Sequence, residues 1–125
     1  MIDHFGVTVS DISTASAFYD RVLGVLGHRR LMDHGVAIGY GTERPHFWIA
    51  AADGAGPNRE VHVAFTAPDV ETVRRWYAEA LAAGARSLHE PRLWPEYHEH
   101  YYGAFVRDPD GNNVEAVCHH ASTGD

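Results

Sequence analysis

The sequence predicts an α+β fold made of two copies of one β-α-β-β-β module, giving eight strands in a mixed sheet and one helix per copy. Three observations predict it. The chain aligns with itself at a fixed offset, His4 falling on His62. Each copy passes from a period-two to a helical apolar pattern, and each helix is followed by three short strand patterns separated by turn residues.

The self-alignment runs without a gap over residues 4–23. It pairs His4/His62, Thr8/Thr66, Asp11/Asp69, Thr14/Thr72, Tyr19/Tyr77 and Leu23/Leu81 identically, where chance gives about one identity over such a length. In the first copy Phe5, Val7 and Val9 alternate with His4, Gly6 and Thr8; in the second, Val63, Phe65 and Ala67 alternate with His62, Ala64 and Thr66. That is the period of a strand with two unlike faces. Asp11 and Asp69 are the expected N-caps, their carboxylates accepting from free backbone N–H groups. The apolar stripes that follow are Ile12, Ala15, Phe18, Tyr19, Val22 and Leu23, then Val70, Val73, Trp76, Tyr77, Ala80 and Leu81. Gly24 and Gly84 are the expected helix stops.

Strands are then expected over about 28–33, 36–40 and 46–51 in the first copy, and over 86–89, 101–107 and 113–119 in the second. Asp108-Pro-Asp-Gly-Asn112 is a turn between the last two. The segment 90–99, with Pro91 and Pro95, reads as a longer loop. The expected organisation of the 125 residues is one domain of two repeats, about 1–52 and 60–120, joined by a Gly/Pro linker at 53–59.

Composition narrows the function. The formal charge is -7, with 17 acidic and 10 basic residues, so neither a nucleic-acid groove nor an anionic lipid surface is expected as a partner. No apolar run is long enough to span a bilayer. The first residues lack the basic and apolar regions of a signal peptide, so the expected location is the cytoplasm. All ten basic residues are arginine; without lysine there is no Schiff base and no phosphate-loop motif. Cys118, the single cysteine, sits on the apolar parity of the last strand and reads as an inert core thiol.

If the helices cover the Phe5/Val7/Val9 face and its repeat, then His4 and His62 look out from the opposite faces, beside small residues. On the last strand Glu115 points away from Val114, Ala116 and Cys118. A carboxylate in that setting requires a partner. Either it pairs structurally, with Arg107 for instance, or it joins the two histidines as a 2-His-1-carboxylate metal set. Fe2+ or Mn2+ suits such donors first, with Zn2+ or Ni2+ as the other ions. His98-Glu99-His100 places two histidines on one side of the chain, solvated or facing substrate. Tyr97, His98 and His100 are the candidates for a base, although no catalytic motif singles one out. Trp48, Arg92, Tyr101, Tyr102 and Phe105 are candidates for binding substrate, Arg92 through a carboxylate or phenolate. His119 and His120 read as tail.

On the opening Ile-Asp-His-Phe, the mid-chain Val-His-Val-Ala-Phe and the closing Phe-Val-Arg-Asp-Pro-Asp-Gly-Asn-Asn-Val-Glu-Ala-Val, the chain resembles the vicinal oxygen chelate superfamily. This group includes glyoxalase I, bleomycin-resistance proteins, fosfomycin-resistance thiol transferases and extradiol dioxygenases. The resemblance implies a cupped sheet from each module and a divalent metal between two modules, held by His4, His62 and Glu115. It also implies a homodimer, in which the modules pair either within a chain or across subunits. Glyoxalase I has a fourth, carboxylate ligand where this chain has Phe47 or Trp48, which argues against that activity. Extradiol dioxygenases and fosfomycin-resistance enzymes place a tyrosine where Phe105 stands; Tyr101 shares its parity. The expectation is a metal-dependent enzyme of dioxygenase, lyase or isomerase type acting on a small oxygenated molecule. Its alternative is a metal-independent protein that sequesters an aromatic drug or natural product in a crevice lined by Trp48, Trp94, Tyr101, Tyr102 and Phe105.

Overall fold

In the computed structural model, which describes residues 2–52 and 61–122, both modules are built in the order the repeat predicts. The first comprises β1 (Phe5–Val9), α1 (Ile12–Val25), β2 (Arg29–Asp33), β3 (Ala37–Gly41) and β4 (Pro45–Ala51). The second comprises β5 (His62–Thr66), α2 (Val70–Ala82), β6 (Arg86–Leu93), β7 (Tyr102–Arg107) and β8 (Asn113–Cys118). The expected linker at 53–59 lies outside the described residues. None of the described helices is long and apolar enough to cross a membrane.

The eight strands divide into two four-stranded mixed sheets, ordered β1-β4-β3-β2 and β5-β8-β7-β6. In each, the first strand runs parallel to the last and the other pairs are antiparallel. One face of each sheet is covered by its helix. Ala15, Phe18, Tyr19, Val22 and Leu23 of α1 and Val73, Trp76 and Ala80 of α2 are buried, whereas Leu81 of the second expected stripe is 38% exposed.

The helix ends repeat as well. Asp11 accepts from the Ser13 and Thr14 amides, and Asp69 from Thr72, so both expected N-caps form. The stop of α1 differs from expectation: Gly24 lies inside the helix, and Gly27 ends it. Gly27 has φ +86 and Gly84 has φ +95, and the His28 and Ala85 amides reach back to Leu23 and Ala80 at 2.9 and 3.0 Å. These are the six-to-one bonds of a Schellman motif, which selects the glycine by conformation. β6 is also longer than expected, taking in residues placed in a loop. It is an edge strand with two register shifts, so Pro91 is tolerated there.

The turn before β8 ties the modules together. Asp108 is buried and accepts from the Asp110 and Asn112 amides, from Asn112 Nδ2, and from the Tyr19 hydroxyl of α1 at 2.7 Å. Burial and the neighbouring Asp108 charge hold the Tyr19 phenol well above its usual range, so it stays a donor. Tyr19→Phe removes one bond to a buried carboxylate. It is expected to lower stability by about 1.5–3 kcal/mol in urea denaturation, whereas a loss near zero would mean the tie carries no energy.

His28, just past the α1 stop, is half-buried. Its Nδ1 is buried without a partner. Burial first, and then the His46 charge, lowers its pKa from the usual 6.5. The folded state therefore favours the neutral ring. Below about 6.5 the unfolded chain takes up a proton that the folded chain resists, so this contribution falls as pH drops through the window down to the folded pKa. Between pH 7.5 and 5.5, His28→Phe is expected to lose less stability than the native chain; equal losses would overturn that assignment.

Candidate functional site

On β8 the alternation sends Val114, Ala116 and Cys118 toward α2 and Glu115 to the open face. Even so, Glu115 is only 1% exposed, with Phe105 beside it in register on β7 and the Tyr101 hydroxyl against its carboxylate. A buried carboxylate is costly without partners, and it has two. Oε1 lies 2.9 Å from His62 Nε2 of β5, and Oε2 accepts from the Tyr101 hydroxyl. His62 is 53% exposed at its side chain, so the pair meets solvent through the imidazole. Burial, then the hydrogen bond and charge of Glu115, push the Tyr101 phenol above its ordinary range and keep it protonated. Gly103 matters for space: a Cβ there would stand 3.3 Å from Glu115 Oε2. Ala64, the register partner of Glu115, likewise leaves the approach open.

An aromatic wall stands beside this pair. Phe105 pairs with Glu115 in register, and its ring centroid is 5.9 Å from that of His62. Trp94 meets Phe105 edge-on at 5.1 Å, and Tyr97 stacks on Trp94 at 5.8 Å. The Trp94 indole N–H donates to the Gly103 carbonyl, which fixes the ring. Arg92 lies over Trp94, its Cζ 3.4 Å from the ring centroid, and bonds Glu96 at 3.1 Å. Its charge is thus matched within the chain.

Tyr102 is not on this wall, contrary to expectation. Successive strand residues point to opposite faces, so Tyr102 is buried under α2 while Tyr101 lies on the Glu115 side. The Tyr102 hydroxyl accepts from Arg74 Nε at 3.1 Å.

The three base candidates also separate. His98 Nδ1 accepts the His100 amide, which leaves the proton on Nε2, and Nε2 donates to His119 Nδ1 at 3.0 Å. Both nitrogens of His98 are engaged. His100 Nδ1 donates to the Ala121 carbonyl. Tyr97 is 59% exposed and borders Tyr101 at 4.8 Å between ring centroids. His119, read from sequence as tail, stands 5.2 Å from the Tyr101 ring centroid; nothing in its spacing signalled this. His89 also lies edge-on to Phe105 and Trp94, and nothing in its spacing signalled this.

His4 stands elsewhere. It leads into β1 on the open face of the first sheet, with its Nδ1 on Asp3 at 2.9 Å. The repeat resolves its surroundings. Gly6 pairs with Trp48 as Ala64 pairs with Glu115, so Trp48, not Phe47, occupies the place of the carboxylate. Trp48 lies across Gly39, where a Cβ would come within 2.9 Å of the indole, and it stacks on His34. Phe47 points into the core. The chain thus brings His62 and Glu115 together and leaves His4 apart. Among the described residues no three His, Cys, Asp or Glu side chains are grouped to hold a metal ion.

Comparisons with known proteins agree with this architecture. A family model described as the Glyoxalase/Bleomycin resistance protein/Dioxygenase superfamily matches residues 1–116. A glyoxalase/bleomycin resistance protein from Albidiferax ferrireducens superposes with a TM-score of 0.83 at 27% identity, over 93% of this chain and 97% of the other. Lactoylglutathione lyase from Agrobacterium tumefaciens gives 0.70 at 23% identity, over 94% and 92%. A fosfomycin resistance protein from Mesorhizobium loti gives 0.68 at 15% identity, over 94% and 91%. The last two likenesses are of fold alone. No curated protein matches the sequence.

Proposed function

The chain belongs to the glyoxalase/bleomycin resistance protein/dioxygenase superfamily, and on that premise we propose that it is a metal-dependent enzyme of dioxygenase, lyase or isomerase type acting on a small oxygenated molecule. The observation that carries this reading is Glu115, a carboxylate 1% exposed on an open sheet face, with His62 Nε2 beside one oxygen and the Tyr101 hydroxyl on the other. Two donors of the kind that bind divalent first-row metals meet there. The third is His4 of a second copy, so that a homodimer completes each centre. Fe2+ or Mn2+ suits this donor set first, and Zn2+ or Ni2+ also accepts it. When bound, the ion supplies Lewis acidity toward two vicinal oxygens of the substrate.

The chain's own groups do the rest. Tyr101 orients the Glu115 carboxylate and holds a proton beside it. Ala64 and Gly103 leave room for a ligand. Phe105 and Trp94 keep water from one side, and the exposed Tyr97 hydroxyl is the group free to exchange a proton with substrate. No carboxylate stands at Trp48, so three protein side chains, His4, His62 and Glu115, would hold the ion, one fewer than in glyoxalase I.

The test is elemental mass spectrometry of the untagged protein beside His62→Ala. About one metal ion per chain, lost in the variant, is expected; none after anaerobic reconstitution with each ion would sink the proposal. Tyr101→Phe removes only the partner of a ligand. It is expected to weaken metal affinity about 10–100-fold in chelator competition. Unchanged affinity would separate Tyr101 from the centre.

The aromatic wall favours a second reading, a binding protein that holds a flat aromatic molecule without metal. Glu115→Gln discriminates: ligand affinity survives it in a binder, and turnover does not survive it in an enzyme.

A further inference from the structure

We propose that Asp3 is a positioning residue for the metal centre: its carboxylate takes the Nδ1 proton of His4 and leaves Nε2 bare for the ion. This rests on the reading of His4 as the third ligand. The two copies of the repeat differ at this point. His62 lies within β5, its backbone in register with Asn113 of β8, and the residue before it is Val61, which has no polar side chain. His4 lies one residue ahead of β1, so the pairing of that strand stops short of it. The residue before it is Asp3.

A neutral imidazole carries one proton, on either nitrogen. An ionised carboxylate only accepts, so the 2.9 Å between Asp3 Oδ1 and His4 Nδ1 places that proton on Nδ1. Nε2 keeps its lone pair, the form in which histidine binds a metal. A carboxylate in this place also fixes the ring orientation and makes the imidazole a stronger donor. Asp3 is held in turn. Its Oδ2 is 3.3 Å from Arg44 Nη2, and its carbonyl is 2.9 Å from His46 Nδ1. Arg44 and His46 flank Pro45, the first residue of β4, so the side chain and main chain of Asp3 are both tied to the start of one strand. The Arg44 and Asp3 side chains are 71% and 69% exposed. Ion pairs open to water add little stability, so these contacts decide where His4 points rather than how firmly the fold holds.

The probe is Mn2+, added to the native chain, Asp3→Ala and Asp3→Asn. In the metal-free native chain, imidazole nitrogen NMR, assigned by the signal lost in His4→Gln, should show His4 protonated at Nδ1 and bare at Nε2. Asp3→Ala should move the proton toward Nε2 and weaken Mn2+ binding about 10–100-fold in chelator competition. The urea midpoint of the metal-free chain should not change. Asp3→Asn keeps an acceptor oxygen and should recover most of the affinity. The proposal is overturned by a native His4 protonated at Nε2, by an affinity loss that follows a loss of folding, or by no recovery in Asp3→Asn. Mn2+ bound equally by the native chain and Asp3→Ala overturns this proposal alone. A native chain that takes up no ion overturns it together with the reading of the centre.

Discussion

Replacing Glu115 with alanine is expected to empty the metal centre, dropping affinity by well over the roughly hundredfold that follows loss of a mere supporting partner. The side chain is the one acidic donor in the proposed set, and it is 1% exposed, so bulk water offers the ion no equivalent anchor at that depth. The same change separates metal binding from folding. Without metal, Glu115 is a desolvated carboxylate held by His62 and Tyr101, and removing it also removes a desolvation cost. The metal-free variant should therefore stay folded. With metal, the native chain gains RT ln(1 + [L]/Kd), about 4 kcal/mol at a thousandfold excess over Kd, and the variant gains almost nothing. Thermal unfolding with and without added ion measures the contrast. The native midpoint should rise by many degrees and the variant's should not move. Equal rises in the two would place the ion elsewhere and leave Glu115 with a structural role alone. Phe105→Leu, beside the same carboxylate but without a donor, should keep the full metal-induced rise.

That Glu115 and His62 meet on one open face was legible because side-chain direction rests on local rules. A period-two strand fixes which face each residue takes, and a carboxylate on a strand this apolar demands a partner. The same rule separates Tyr101 from Tyr102, since neighbours on a strand point to opposite faces. The α1 stop was misplaced because two glycines stand three residues apart, and a reach-back bond from His28 to Leu23 selects Gly27. Composition cannot express such a bond. β6 ran on through Pro91 because it is an edge strand, and edge position belongs to sheet order, which the sequence does not state. His119 and His4 were illegible for a deeper reason. Their neighbours are set by how separate segments pack, His119 against the 94–101 loop and His4 against whatever covers the first sheet.

Whether a second copy provides that cover is decided by mixing two inactive chains. Both open faces carry small residues near the candidate ligands, Gly6 and Thr8 on one and Ala64 and Thr66 on the other, all exposed. The first face also leaves Met32 46% exposed. A two-fold dimer uses each face twice, setting His4 of one copy against His62 and Glu115 of the other. A His4→Ala chain and a Glu115→Ala chain should each bind no metal alone. Purified through two tags as a heterodimer, they should bind about one ion at native affinity. Under cross-subunit pairing both defects fall in one centre and the other is whole. Pairing within a chain puts one defect in each centre and predicts no binding. A metal-free heterodimer from two dimeric parents would remove the partner's His4 from the centre. Metal in the His4→Ala homodimer would show that His62 and Glu115 suffice without it.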